Sequence, residues 1–276
     1  MSLHQIISQY GFVPLLENPE KKLAEFLRTS LEKRLSKTLV DELISNYIQK
    51  TNKSADEILL NPELFSKAIE ELFGEKVSKL ILKLIQEDLF ENGMSDSADN
   101  SIKKILDEIR KNSVLEFIQK IKGHEHIAFF WANNDLRRYL FSEFFKNAKS
   151  VKGFISMEGL DDATPYITYD ELFSNKSDSI EKEKDLIIST HKKNTTSFPT
   201  LLGGDNCDRW FEEGLGHDFL KLEKYVDKFL ENESISCICG YNELFLSNGE
   251  HIGEILSSHK YVILDNPLMI YKRREK

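Results

Sequence analysis

The sequence predicts an α/β protein, a mainly parallel β-sheet with helices on both faces, preceded by a small all-α domain. Three observations predict it. Apolar residues recur at spacings of three and four from Leu23 to Ile85, the helical period, whereas short apolar runs alternate with helical segments from His124 onward. Gly123–Trp131 (GHEHIAFFW) reads as a buried strand, and Ser236–Leu264 reads as strand, turn, helix, strand. Strands separated by helices require right-handed crossovers, and these place parallel neighbours side by side with helices covering the sheet.

In the first segment, residues 1–91, Asn18-Pro19 opens a helix whose stripe is Leu23, Phe26, Leu27 and Leu31. A second stripe follows in Leu39, Leu43, Ile44, Tyr47 and Ile48. Ser54-Ala55-Asp56-Glu57 has the form of a capping box for a short helix. Asn61-Pro62 starts the next, with Leu64, Phe65, Ala68, Ile69 and Leu72 on its face and Gly74 as its terminator. Val77, Leu80, Ile81, Leu84 and Ile85 form the last stripe, and mutual burial of these stripes predicts a helical bundle. Residues 92–122 read as a linker, NGMSDSADN at 92–100, and a connecting helix carrying Ile102, Ile105, Leu106, Ile109, Leu115, Ile118 and Ile121. That helix is expected to break around Asn112-Ser113. Its apolar face is expected to pack on a neighbouring domain or on a second copy in a homodimer.

In the third segment, residues 123–276, strands are expected at 126–131, 151–157, 165–169, 198–203, 234–241 and 260–265. Helices are expected near 134–147, 178–192, 216–231 and 249–258. Ligands of such sheets lie beyond the carboxyl ends of the strands, here Trp131–Asn134, Glu158–Asp161, Gly203–Asn206 and Tyr241–Glu243. Ala132-Asn133-Asn134-Asp135 lacks the G-x-x-x-x-G-K-[ST] phosphate cradle, so the pattern favours a sensor over a nucleotide hydrolase.

Composition narrows the class. The 276 residues are 40% hydrophobic and 30% charged, an ordinary globular balance with eighteen Phe. A net charge of −9 and a pI near 5.4 disfavour nucleic-acid partners, which need clustered Lys and Arg. The first residues carry no basic region followed by an apolar run, and no apolar stretch reaches about 18 residues, so a cytosolic protein without membrane contact is expected. Three cysteines, Cys207, Cys237 and Cys239, fit a reducing compartment rather than a disulfide framework.

Five pieces, in order, carry a family resemblance. They are His126-Ile127 leading into Phe129-Phe130-Trp131, Gly204-Asp205 after a strand, Leu222-Glu223 in a helix, Cys239-Gly240-Tyr241-Asn242, and His259 before the last apolar strand. From about 124 to 264 the chain resembles the MEDS domain, the methanogen/methylotroph DcmR-type sensory domain. Asp205, Asn242 and Lys260 stand where that family more often has Glu, Asp and Pro. The resemblance implies a degenerate RecA-like fold without a working P-loop and the sensing of a small organic molecule, coupled to a separate output module. Gly74–Leu82 (GEKVSKLIL) resembles small helical output domains of archaeal signalling proteins, implying a protein partner for residues 1–91.

The candidate ligand-binding residues are His126, Trp131, Asp205, Glu223, Tyr241 and Asn242. His124 and His126 are two apart and would share a strand face, which suits a metal, a ligand contact or a hydrogen-bonded strand end. With no further His or Cys at ligand spacing, no metal and no cofactor are expected. Cys237 and Cys239 read as small buried packing residues. Glu158, Asp161, Asp162, Asp205 and Glu223 could supply a carboxylate pair, but no nucleophile motif accompanies them, and no catalytic residue is assigned. Asp135 reads as a helix N-cap, and the tail Tyr271–Lys276 as a solvated end. The competing readings are a RecA-like nucleotide-binding enzyme and a non-catalytic interaction scaffold.

Overall fold

The computed structural model describes residues 3–15, 18–94, 101–121, 123–146, 149–157, 166–246, 251–265 and 268–274. The linker residues 95–100, the expected pocket loop Glu158–Asp161 and Asp162 lie outside them. The chain divides into two compact units, Leu16–Ser113 and a second made of Met1–Leu15 with Val114–Lys276. These boundaries differ from the expected 1–91, 92–122 and 123–276. Two features account for the difference: the first residues supply a strand to the sheet, and the connecting helix contributes to both cores.

In chain order the elements are α1 (Leu3–Gln9), β1 (Phe12–Pro14), α2 (Asn18–Leu35), α3 (Lys37–Thr51), α4 (Ala55–Leu59), α5 (Pro62–Glu91) and α6 (Ile102–Gln119). Then come β2 (Glu125–Trp131), α7 (Asn134–Phe144), β3 (Lys152–Ser156), β4 (Tyr166–Thr168), α8 (Tyr169–Leu172), α9 (Ser179–Lys192) and β5 (Thr200–Gly204). The last are α10 (Arg209–Glu212), α11 (Gly216–Asn232), β6 (Ile235–Asn242), α12 (Glu243–Leu246), α13 (Ile252–Ser258), β7 (Tyr261–Asp265) and β8 (Leu268–Arg273).

The elements of the unit Leu16–Ser113 are helices. Leu23, Leu27 and Leu31 of α2 pack with Val40, Leu43 and Ile44 of α3 and with Phe65, Ile69, Ile85 and Leu89 of α5. The capping box forms as expected: Ser54 Oγ accepts from the Glu57 amide, and the Glu57 carboxylate accepts from the Ser54 amide. Asn61 Oδ1 caps α5 by accepting from the Glu63 and Leu64 amides. Gly74 ends the first helical stretch of α5 as expected: its φ of 74° and ψ of 165° are non-helical and lie in a region open almost only to glycine, and a second helical stretch follows beyond it. A Cβ there would meet no atom within 4 Å, so the cost of Gly74→Ala is that of the backbone alone. We expect a loss of about 1–3 kcal/mol in denaturant unfolding.

A polar clasp ties α2 to α5. Arg34 Nη1 donates to Asp88 Oδ2 at 2.6 Å, Arg34 Nη2 donates to the Leu84 carbonyl at 2.9 Å, and Ser30 Oγ donates to Asp88 Oδ2 at 2.6 Å. The Arg34 hydrogen bond, with Ser30 and the nearby positive charges, holds the Asp88 carboxyl below the ordinary carboxylate range. A lowered folded pKa stabilises the protein above the unfolded value and is lost as pH falls through the folded one. Asp88→Asn should therefore cost about 1–3 kcal/mol near neutral pH. Its deficit relative to the parent should shrink in unfolding curves taken below about pH 4. An equal deficit at every pH would contradict the clasp.

The second unit is an α/β fold on one eight-stranded, mostly parallel mixed sheet of order β1-β8-β7-β2-β6-β5-β3-β4. The six strands from β7 to β4 are parallel and match the expected ones within two or three residues at each end. Two strands were not foreseen: β8 lies antiparallel to both β7 and β1. Tyr271, expected in a solvated tail, is buried in β8, because its register opposite Val262 turns the ring into the core. The α6 helix is continuous through Asn112-Ser113. Its Ile105 and Leu106 enter the helical core and its Val114 and Ile118 the sheet core, so these apolar residues are covered by their own chain.

The two-residue period sorts the sheet's side chains. Ala128, Phe130, Cys237, Cys239, Tyr241, Val262 and Leu264 pack on the face covered by α9, α11 and α13. Ile127, Phe129, Trp131, Phe154, Ile238 and Ile263 pack on the face covered by α7 and the end of α6.

Candidate functional site

A buried polar cluster lies on the α11 face of the sheet. His126 is the second residue of β2. Its parallel register, His126 opposite Cys237 and Ala128 opposite Cys239, sets the β6 thiols on the same face. On the other flank the Lys260 amide donates to the His126 carbonyl, which brings His259, between α13 and β7, alongside. Glu223 comes from α11 above them. Its Oε2 lies 3.2 Å from His126 Nε2 and 3.4 Å from His259 Nε2. Cys239 Sγ is 3.6 Å from His126 Nε2, and the two imidazole centroids are 4.0 Å apart. Tyr241 donates its hydroxyl to Glu223 Oε1 at 3.1 Å. No residue of this group exceeds 7% exposure.

Electrostatics keep the cluster charged. Burial works against an imidazolium at His126, but Asp227, Cys237 and Glu223 outweigh it and carry its pKa well above the ordinary value. Burial likewise opposes the Glu223 carboxylate, yet His259, His126 and Tyr241 bring it down to about 2. Burial and the neighbouring His126 cation hold His259 neutral, near 4. Cys237 is lowered to about 7, first by its hydrogen bond with Cys239, whereas Cys239 is held protonated. Glu183 of α9 shares with Glu223, Cys207, Cys237, Cys239 and Tyr169 the lining of a cavity of about 30 Å³. Burial, and then the charge of Glu223, push its carboxyl well above the usual range.

Three of the six candidates, His126, Glu223 and Tyr241, thus come together. Trp131 and Asp205 lie on the opposite face in a network of their own. The Trp131 indole N–H donates to the Asp205 carbonyl at 3.1 Å, and the Arg137 guanidinium sits 4.8 Å from the Trp131 ring. Asp205 accepts from Ser156 Oγ at 2.7 Å and faces Arg137 Nη1 at 3.4 Å. The loop can approach β6 this closely because Gly240 has no Cβ: one added there would stand 2.8 Å from the Asp205 carbonyl oxygen. Asn242 belongs to neither group. Its amide donates to Asp208 and its Oδ1 accepts from the Leu244 amide, which makes it a turn residue. Asp205 and Glu223, on opposite faces, do not form a carboxylate pair.

At the carboxyl end of β2, where a RecA-like sheet would hold phosphate, a carboxylate of the chain itself fills the anion position. Asp265 Oδ2 accepts from the Ala132 and Asn133 amides at 2.8 and 2.6 Å. Asn133, not Asp135, caps α7, accepting from the Asp135 and Leu136 amides.

A cavity of about 710 Å³ opens at the amino ends of β2 and β7 instead. His126, Asp227 and Leu230 form part of its lining, and Lys260, Lys272, Arg273 and Arg274 gather positive charge around it. His124 also lines it, but a φ of 63° turns it out of the strand, and its Nδ1 lies 2.8 Å from the Leu230 carbonyl. His124 and His126 therefore both line this cavity, with His124 lying outside the strand. The ligand-type residues that do converge are His126, Glu223, Cys239 and His259. Sequence spacing missed this group because its members come from four separate segments. Among the described residues, no helix is long and apolar enough to cross a membrane. No protein-family model matches the chain, and neither the curated proteins nor the solved structures searched include a match.

Proposed function

We propose that the α/β unit is a sensory module that binds a small organic anion in the cavity beside His126 and acts without catalysis. The observation that carries this reading is the cavity itself. In a chain of net charge −9, it gathers Lys260, Lys272, Arg273 and Arg274 about a pocket of ligand size, with apolar wall from Leu230 and Tyr10. The placement of β2 inside the parallel block, with β3 to β6 added on one side and β7 on the other, is compatible with a degenerate RecA-like fold and the MEDS resemblance. The Asp265 carboxylate in the strand-end cradle weighs against the nucleotide-binding enzyme. Three free buried thiols fit a cytosolic protein. In this reading, α6, shared by both compact units, relays occupancy to the helical unit, which binds a protein partner. Such a relay requires that the ligand prefer one of two arrangements.

Thermal unfolding of the full chain with a panel of small carboxylates and phosphate esters, and with Mg-ATP as a comparison, tests the reading. An anion at about 100 times its Kd should add about 2.7 kcal/mol. Lys260→Glu together with Arg274→Glu should abolish that gain. Silence across the panel, or a gain from Mg-ATP that survives both charge reversals, would refute it.

A further inference from the structure

The buried cluster has a geometry that an ion pair alone does not explain. His126, His259, Glu223 and Cys239 each bring one ligand-type atom to within 4.8 Å of the others. Three of the six separations, His126 Nε2–Glu223 Oε2 at 3.2 Å, His259 Nε2–Glu223 Oε2 at 3.4 Å and Cys239 Sγ–His126 Nε2 at 3.6 Å, match edges of a tetrahedron, and the other three lie within 4.8 Å. About a zinc ion with N or O at about 2.1 Å and S at about 2.3 Å, such edges measure about 3.4–3.6 Å. Glu223 Oε2 and His259 Nε2 are fully buried and form no hydrogen bond, although they face each other. Glu223 Oε2 keeps its ion pair with His126, but a buried imidazole nitrogen that meets a carboxylate oxygen with no proton between them is costly unless something satisfies it.

The outer atoms of the same side chains are held in the way ligand side chains are held. His259 Nδ1 bonds the Ile255 carbonyl at 2.7 Å, so its proton belongs on Nδ1 and the Nε2 lone pair points inward. His126 Nδ1 faces the Asp227 carboxylate at 3.4 Å, the carboxylate–histidine arrangement that orients a ligating imidazole. Tyr241 holds the other oxygen of Glu223. From these arrangements we propose that His126, Glu223, Cys239 and His259 bind one zinc-class divalent transition-metal ion.

The donor set selects the metal. Two imidazoles and a thiolate suit zinc or cobalt and exclude calcium and magnesium, which take oxygen ligands. Binding releases two protons to solvent, one from the Cys239 thiol and one from His126 Nε2, as the sulfur–metal and nitrogen–metal bonds form. With four protein ligands and burial throughout, the centre has no open position for a reacting water, so it fixes α11 to β2, β6 and β7 rather than hydrolysing a substrate. His126 and Asp227 also line the anion cavity, but the inference does not rest on the anion reading, since the metal titration needs no organic ligand.

The test uses the full chain, stripped with a chelator and titrated with cobalt(II). One cobalt per chain is expected, with tetrahedral d–d absorption and a sulfur-to-cobalt charge-transfer band that zinc displaces. Cys239→Ser should abolish the charge-transfer band. Asp227→Asn touches a positioning residue that is about one-third exposed, so the variant is expected to fold, and it should weaken binding about 10–100-fold. Less than a tenth of an equivalent taken up by the folded parent, or a charge-transfer band that survives Cys239→Ser, would overturn the proposal. The parent titration decides even if a variant fails to fold.

Discussion

Glu223→Ala should destabilise the metal-free protein by about 3–5 kcal/mol, the cost of removing one partner from a buried ion pair. The carboxylate stands between two imidazoles and a phenol, at 3.2 Å from His126, 3.4 Å from His259 and 3.1 Å from the Tyr241 hydroxyl. All four residues are buried, so water cannot replace what is removed. Truncation would leave the His126 imidazole without its nearest buried anion and the Tyr241 hydroxyl without its acceptor, and would open a hole under α11. The pair as a whole is a different matter. Its attraction is offset by the desolvation of both charges, so replacing both with apolar groups should cost less than removing one. We therefore expect the double variant His126→Leu with Glu223→Leu to be less destabilised than the sum of the single variants by more than about 1 kcal/mol in denaturant unfolding. Additive losses would show that the two side chains are not coupled.

Much of this architecture can be read from residue order. The six parallel strands follow from short apolar runs between helical stripes, and the capping box at Ser54–Glu57 from four letters. The antiparallel edge is less visible. The β8 strand runs into Lys272 and Arg273, and β1 is three residues ending in Pro14, so neither presents a sustained apolar alternation. For the site, His126, Glu223 and Tyr241 are legible one by one, but their grouping with Trp131 and Asp205 is not correct. The separating signal is parity. Residues 126 and 131 are an odd number apart on one strand and must face opposite sides, whereas 126 shares its side with 128, and 237 with 239 and 241. The role of His259 has no such signal. It depends on β7 docking beside β2 after a crossover from β6, a long-range event that spacing does not encode. Asp265 is hidden for the same reason: its contacts with Ala132 and Asn133 span more than 130 positions.

Asp205→Ala should cost about 3–5 kcal/mol for a reason unrelated to ligand binding. Arg137 of α7 is a buried cation, 6% exposed, stacked on Trp131 and facing the Asp205 carboxylate at 3.4 Å. The same carboxylate accepts from Ser156 Oγ and from the Met157 amide, so it joins the ends of β3 and β5 to α7. Removing it withdraws a counter-ion from a guanidinium with little access to water, an imbalance that added salt should not screen as it would at a surface. Asp205→Asn keeps a hydrogen-bond acceptor for Ser156 and deletes only the charge, so it should fall between the parent and the alanine variant. If Trp131 and Asp205 instead formed the ligand site, Asp205→Asn would leave stability nearly unchanged and remove the anion-induced thermal shift. We expect the reverse: a stability loss in urea unfolding that persists at high salt, with the shift retained, because the cavity lies at the opposite end of β2.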